Sequence, residues 1–418
     1  MRINKCRVCG NTNLISCLNI GEQYLSSIFP DSLDYKNKLK KQSLELLLCK
    51  KDDNNKNCGL LQLANEYDLS EMYKAYPYTS NLNESMVKIL KEVVFNAVKF
   101  GNLKPKDLIL DIGGNDGTLL SFFKDYDYGL LNIDAAQNIK QVFSSENLTV
   151  VSDFFSKQKF DTVSSQQARL VFSIAMFYHI ANPIEFCKDV ESCMKDDGIW
   201  AIQMAYLPAM LETNMYDNIV SEHKGYYSID TLQWVMDKAE LEIFDALVND
   251  VYGGSFCVFV KKKKCDNFKT TERLRRLIEK EKQYKIFDLQ TYKNFETNII
   301  KSRDSLRKLI FKLKAEHKNI WVYGASTKGN TILQYCEFDT NTITAAADCN
   351  PFKFGKYLIG SDIPITDEET MRKANPDYLL VLPYSFIDSF MEKEHELVKK
   401  GTQFITPLPY VATHRGII

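Results

Sequence analysis

The sequence predicts an α/β protein: a doubly wound sheet domain, with a small cysteine-rich module ahead of it and a second sheet unit behind. Three observations carry that expectation. The apolar run from 108 to 112 breaks into Gly113-Gly-Asn-Asp-Gly117 and resumes as an apolar helix start. Two pairs of cysteines, Cys6 with Cys9 and Cys49 with Cys58, precede it. The pattern of strand, glycine turn and helix returns at 319–335. Strands alternating with helices build a parallel sheet that receives ligands at the carboxyl ends of its strands.

Bulk properties narrow the class. A chain of 418 residues is long enough for two or three domains, each with its own core. Its 53 basic and 54 acidic residues leave a net charge of -1, so no global field recruits nucleic acid or a membrane surface. No apolar run approaches the roughly 20 residues that span a bilayer. The opening Met1-Arg-Ile-Asn-Lys5 lacks the apolar core of a signal peptide, so a cytoplasmic protein is expected.

Without a secretory signal, cysteines point to metal ligation or burial rather than to disulfides. Cys6-Arg-Val-Cys9 is a knuckle, and Cys49 and Cys58 form a looser second pair, with 39 residues between the two pairs. Four thiolates close a tetrahedral zinc site, and such a site is structural because no coordination position stays open. Gly10 and Gly59 each follow a cysteine, where turns around a metal need special backbone angles. Cys17, Cys187, Cys193, Cys257, Cys265, Cys336 and Cys349 have no partner spacing and read as buried small apolar residues.

The segment 70–80 brings three tyrosines close together, Tyr73, Tyr76 and Tyr78, either pinned by aromatic burial or facing a substrate. A helical pattern from Met86 to Phe100 then leads into the first strand. In the glycine turn, Gly113, Gly114 and Gly117 permit positive φ and close approach of a ligand, and the helix from Thr118 points free N–H groups at it. The spacing differs from the G-x-G-x-x-G of dinucleotide sites and favours S-adenosylmethionine. A second strand, 128–134, ends in Asp134, 21 residues after Gly113, where a ribose diol is held. The expected cofactor set is Asp111, Gly113, Asn115, Asp116, Gly117, Asp134 and Asp153. A ligand-free tight turn is the alternative.

Further strands are expected at 169–176, 198–203 and 256–260, with a helix at 184–194. Residues 268–318 read as a charged helical connector, with Leu274, Leu277, Ile278, Leu306, Leu309, Ile310 and Leu313 at helical spacing. The second unit has strands at 319–325, 343–348, 377–382 and 403–406. Its polar turn, with Gly324, Lys328 and Gly329 ahead of a helix, suits a phosphate unless the domain only packs.

Taken together, the paired cysteines with Cys58-Gly-Leu-Leu-Gln-Leu63, the run Asp111-Ile-Gly-Gly-Asn-Asp-Gly-Thr118, Glu222-His223, Gly253-Gly-Ser255, and Tyr323-Gly-Ala-Ser-Thr-Lys-Gly-Asn330 with Asp348 resemble the nucleotide-sugar C-methyltransferases over nearly the whole chain. The resemblance implies a class I S-adenosylmethionine-dependent methyltransferase sheet, flanked by a small zinc-binding module and a Rossmann-like C-terminal domain. It implies domains at 1–68 (zinc), 69–267 (methyltransferase), 268–318 (connector) and 319–418 (nucleotide-sugar binding). The implied reaction is methyl transfer to carbon 3 of a nucleotide-linked 4-keto-6-deoxy sugar by a monomer or weak dimer. A proton alpha to the ketone is removed, and the enolate carbon takes the methyl. That chemistry requires a base with a suitable pKa and donors for the enolate oxygen.

By the same resemblance His223 is the base, with Glu222, Tyr78 and His179 as its catalytic neighbours. Tyr76, Ser255, Gly324, Ser326, Thr327, Lys328, Asn330 and Asp348 are the expected substrate contacts. Three stretches depart from the family pattern: Val220-Ser221 before Glu222, Gln203-Met204-Ala205-Tyr206, and Tyr252 before Gly253. Each removes a polar group from a pocket that handles protons. Sugar O-methylation, proton transfer without methylation, and a non-catalytic nucleotide-sugar-binding protein are therefore the competing outcomes.

Overall fold

The computed structural model describes residues 1–52, 56–67, 72–73, 76, 78–82, 84–249 and 253–415. Part of the tyrosine-rich segment and Tyr252 lie outside them. The strands, in chain order, are β1 (Leu14–Gln23), β2 (Gln42–Cys49), β3 (Leu61–Leu63), β4 (Leu108–Ile112), β5 (Gly129–Ile133), β6 (Leu148–Val151), β7 (Ala168–Ile174), β8 (Met194–Ala205), β9 (Gly225–Tyr226), β10 (Leu241–Asn249), β11 (Ser255–Lys262), β12 (Ile320–Tyr323), β13 (Ala346–Asp348), β14 (Tyr357–Leu358), β15 (Ile363–Asp367), β16 (Tyr378–Val381), β17 (Gln403–Thr406) and β18 (Ala412–His414).

The central sheet has the order β10-β11-β8-β7-β4-β5-β6. Strands β4 to β8 run parallel, while β11 is antiparallel to β8 and β10 to β11. The inner strands are buried on both faces, so they read as unbroken apolar runs. Side chains alternate between two cores. Ile109, Leu170, Phe172 and Ala201 meet the helix Glu84–Gly101 through Ile89, Val93 and Ala97. Leu110, Val171, Trp200 and Ile202 meet the helices Pro183–Cys193 and Ile229–Asp237 through Val190, Leu232 and Val235. Strand order reverses beside β4, which opens a crevice at the carboxyl ends of β4 and β7.

The second sheet has the order β14-β15-β13-β12-β16-β17-β18, parallel from β15 to β17. One face packs Trp321, Leu379, Val381 and Phe404 on Met371 and Leu397. Its other face packs Ile320, Val322, Ala346 and Leu380 on the 27-residue helix Leu289–Ala315, through Phe295, Ile299, Leu306 and Ile310. The predicted connector is thus two helices, Glu272–Gln283 and this long one. Most of their charges face solvent, except Glu281, which is buried and accepts from Tyr206 and the N–H groups of Ile229 and Asp230, and the apolar stripe of the long helix joins a core.

A four-stranded antiparallel sheet, β1-β2-β3-β9, carries the cysteines. Two of its properties were not legible in the sequence. Leu18, Ile20, Leu44 and Leu46 belong to the same core as the long helix and the second sheet. Strand β9, its fourth, comes from the segment directly after His223 and pairs Tyr226 with Leu61. The N-terminal module is therefore wedged between the other two units rather than appended to them. Tyr24 and Gln334 exchange hydrogen bonds of 2.8 and 3.3 Å, and Tyr35 donates to Asp362 at 2.6 Å.

The four predicted ligands converge. The Sγ atoms of Cys6, Cys9, Cys49 and Cys58 lie within 4.8 Å of one another, with Cys6–Cys58 and Cys9–Cys49 both at 3.5 Å. A zinc ion bonded at about 2.3 Å to four tetrahedral sulfurs spaces them by about 3.8 Å, so the donor set fits that metal. Gly10 and Gly59 take φ of +73° and +72°, as turns at such a site require. One cysteine expectation fails: Cys349 is exposed, because it follows the end of β13 in a surface turn.

Replacing Cys9 by Ser is expected to take zinc from about one ion per chain to none by plasma mass spectrometry and to lower the thermal midpoint. Unchanged metal content in that variant would remove the four thiols as ligands.

Candidate active site

The cofactor cradle forms where β4 ends. Gly113 and Gly117 adopt φ of +73° and +75°, but Gly114 does not, contrary to expectation. Asn115 takes the left-handed conformation instead, at φ +50°. Gly114 is required for space: a Cβ there would lie 2.5 Å from Asn132 Oδ1 and 2.6 Å from Asp111 Oδ2. The helix that follows is short, Thr118–Ser121, and continues in turns.

Side chains around the turn divide into two groups. Asn115 and Asp116 hold the incoming chain. Asn115 Oδ1 accepts from the Ser80 N–H at 3.0 Å and its Nδ2 donates to the Tyr78 carbonyl at 3.1 Å, while Asp116 accepts from the N–H groups of Asn81 and Thr118. They shape the cradle through the backbone. Asp134 accepts from the N–H of Asn115 at 2.7 Å and of Ala136 at 2.7 Å, and burial raises its pKa. Asp153 lies at the surface and pairs with Lys159.

Asp111 is different. It is 1 % exposed, and neither carboxylate oxygen has a partner among the described residues. Burial pushes its pKa well above the ordinary carboxylate range, with Asp134 and Asp116 adding to the rise. A buried orphan carboxylate is costly unless a ligand completes it. Together with a turn that admits no Cβ at 114, it fits a cationic cofactor such as S-adenosylmethionine.

A second group gathers at the end of β7 and in the loop 216–223. His223 Nδ1 lies 2.9 Å from the Asn218 carbonyl, to which it donates as the neutral ring. That fixes the tautomer and leaves Nε2 with a lone pair. Burial holds the pKa of His223 well below its ordinary value, and the nearby His179 and Lys328 hold it lower still. Tyr178 packs on the His223 ring at 4.1 Å between centroids, and His179 lies at 5.4 Å. Burial brings the pKa of His179 down to about 3. Glu222 is buried, its Oε2 has no partner among the described residues, and burial lifts its carboxyl to about 7. The charge of Glu222 bears on Tyr76 and Tyr73, whose rings stack at 5.9 Å. Tyr78 packs at the edge of the core under the helix Glu84–Gly101.

The third group comes from the second sheet. Gly324 turns at φ +82°, Ser326 caps the helix Thr327–Tyr335 by accepting from Gly329 N, and Thr327 is that helix's first residue. Asp348 pairs with Lys353 at 2.9 Å, and Lys353 also donates to the Ala325 carbonyl at 2.8 Å, which secures the turn. Asn330 is fully buried and donates to the Ser26 carbonyl. Lys328 behaves otherwise. Together with Ser255 it lines a cavity between Ile174, Ala175, Tyr178 and Gln203, inside the methyl-transfer crevice. The sequence had suggested two separate nucleotide-type pockets; the structure brings Lys328 of the second into the first. A wider opening of about 370 Å³ between Tyr76, Asn138, Asn350 and Phe352 runs along the same seam.

Sequence reasoning missed Asp217, Asn218, Tyr178 and Tyr384. The Tyr384 hydroxyl reaches Asp217 at 3.3 Å, and burial raises the pKa of Asp217 against the opposing charge of Lys328. No periodicity or motif marks these residues: Asp217 meets Tyr384 from another domain, and Asn218 and Tyr178 meet His223 from loops of irregular spacing.

Family models match along the chain in order: a zinc binding domain over 6–73, a methyltransferase domain over 78–246 and a C-methyltransferase C-terminal domain over 250–409. The C-methyltransferase NovU of Streptomyces niveus is 26% identical over 409 residues, covering 97% of this chain and 96% of that protein. Among solved structures, the plantazolicin methyltransferase BamL, in complex with a triazolic desmethylPZN analog and SAH, aligns at 12% identity over 47% of this chain and 94% of its own, with a TM-score of 0.35. The SAH-bound CalO1, a methyltransferase in calicheamicin biosynthesis, aligns at 10% identity over 43% and 55%, with a TM-score of 0.33. The consecutive domain matches and the end-to-end alignment show an S-adenosylmethionine-dependent methyltransferase with an N-terminal zinc-binding domain, similar over its whole length to a C-methyltransferase.

Proposed function

We propose that this C-methyltransferase acts on a nucleotide-linked 4-keto-6-deoxy sugar, at carbon 3, through an enolate raised by His223. One observation carries the reading: a desolvated, neutral imidazole with Nε2 available stands in the same crevice as a cation delivered by a Rossmann-like domain. A phosphate-suited turn beside a base for carbon acids matches a substrate with a nucleotide at one end and an acidified C–H at the other.

Each group has a definite task in this reading. Asp111, with the turn at Gly113 and Gly114, holds the cofactor, and Asp134 lies at its ribose. Bound there, S-adenosylmethionine supplies an electrophilic methyl group. His223 Nε2 removes the proton alpha to the ketone, since burial keeps the ring unprotonated and Asn218 keeps it oriented. Glu222, Tyr76, Tyr78 and His179 line the sugar side, and Ser255 lies at the crevice floor. Ser326 and Thr327 present the second turn to the nucleotide. With Val220 and Ser221 where the family pattern carries other polar groups, His223 has Asn218, Tyr178 and His179 as its near neighbours.

Three outcomes test this assignment. Mass spectrometry of nucleotide 4-keto-6-deoxyhexoses incubated in deuterated water should show a carbon-bound methyl with wild type, and a loss of about 10²-fold or more with His223→Asn. Retained turnover in that variant would sink the base assignment, and an oxygen-bound methyl would sink the enolate. Gly114→Ala should weaken S-adenosylmethionine binding at least about tenfold by calorimetry, because the cradle has no room for the added methyl; an unchanged affinity would place the cofactor elsewhere. For Glu222 the folded pKa of about 7 lies above the ordinary value of 4.5. Between those values the native state binds more protons than the unfolded one, so stability falls as pH rises from about 5 through 7. Thermal midpoints should therefore drop over that range more in wild type than in Glu222→Gln, and parallel curves would mean that the carboxyl is not desolvated.

A further inference from the structure

Lys328 breaks two local rules at once. It occupies the first turn of the helix Thr327–Tyr335, where the positive end of the helix disfavours a cation. Its side chain is also half-buried, which lowers its pKa, and the Asp217 carboxylate opposes that fall. Breaches of local preference concentrate at functional positions.

The space that Lys328 enters has the marks of a reaction site. Ala175, at the end of β7, holds φ +55°, a left-handed conformation that alanine rarely adopts. The Oε1 of Gln203 is buried there without a partner among the described residues. Ser255 and Tyr178 complete the lining, and the charge of Lys328 bears directly on His223. The phosphate-suited turn, by contrast, has its own cation in Lys353, fixed by Asp348 and the Ala325 carbonyl.

We propose that Lys328 is a catalytic residue of the methyl-transfer site, its ammonium holding the substrate carbonyl oxygen and carrying the charge that develops there when His223 takes the neighbouring proton. The inference rests on the ketosugar reading above. In the step, the C–H bond breaks and its proton passes to Nε2 of His223. The C–H electron pair becomes the new carbon–carbon π bond, and the carbonyl π pair moves to oxygen, opposite the ammonium. A neutral ketone and a neutral imidazole become an enolate and an imidazolium, and Lys328 stays protonated throughout. A fixed cation aimed at the developing charge in a dry site is the most effective arrangement for such a barrier. It also explains why the base needs so few polar neighbours of its own.

The test uses the full zinc-loaded chain and compares wild type with Lys328→Met and Lys328→Arg. Solvent deuterium entering the carbon alpha to the ketone is followed without S-adenosylmethionine, and kcat and KM are followed with it. Lys328→Met should slow deuterium entry and kcat together by about 10²–10³-fold, with KM and S-adenosylmethionine affinity within about threefold. Lys328→Arg, which keeps the charge and the fold, should recover part of both rates. A tenfold or greater rise in KM with kcat intact would assign Lys328 to phosphate and overturn the proposal. So would unchanged deuterium entry in both variants, with the ketosugar reading left standing. Wild type that neither exchanges nor methylates any ketosugar would overturn that reading, and this inference with it.

Discussion

The site depends on one buried arginine. Arg7 sits between the two cysteines of the knuckle, with its side chain 4 % exposed, and donates to the carbonyls of Leu63 at 3.0 Å and Lys224 at 2.6 Å while pairing with Glu66 at 2.6 Å. Lys224 directly follows His223, and its N–H is bonded to the Tyr178 carbonyl. The metal module therefore sets the position of the segment carrying His223 through one side chain and one short strand pairing, β3 with β9. Charge-assisted hydrogen bonds of this kind each contribute about 1.5–3 kcal/mol, and removing one partner of a buried ionic group costs more than the bond itself. A structural zinc site has no open position for chemistry; here its influence on chemistry is mechanical.

The second organising feature is that two sheets of the same doubly wound kind present their ligand-binding ends to a shared seam. The crevice beside β4 and β7 supplies the carboxylate at 111 and the histidines, and the end of β12 supplies Lys328. The loop after β16 adds Tyr384, which meets Asp217 across the seam. Burial acts in opposite senses on the groups gathered there. It lowers the pKa of His223 and His179, and it raises those of Glu222 and Asp111.

What could be read from the chain follows the range of the interactions involved. The strand at 108–112, the glycine turn and the four cysteine ligands are dictated by neighbours in sequence or by a donor set, and they stand where the pattern put them. Gly114 was rightly singled out, but for the wrong reason, because its constraint is a side-chain collision rather than a dihedral angle. Strand β6 escaped notice because it lies at a sheet edge and is only half-buried; β10 did so because Asp245, matched by Arg273 and Thr271, interrupts its apolar run. The meeting of Lys328 with the methyl-transfer crevice, and of Asp217 with Tyr384, could not be foreseen, since each joins residues whose proximity is created only by domain packing.

The shared core of β1, β2 and the second sheet has a consequence for how the molecule is made. Tyr24 and Gln334, whose side-chain amide holds both backbone groups of Tyr24, are 310 residues apart in the chain. At 5–20 residues per second, a ribosome takes about 15–60 s to deliver the second after the first. For that interval the apolar face of Leu18, Ile20, Leu44 and Leu46 lacks the part of its core that the second sheet supplies, whereas the central sheet between them is complete much earlier. Folding of the nascent chain can thus complete the middle sheet first, and the N-terminal strands gain their full packing only when the final hundred residues emerge.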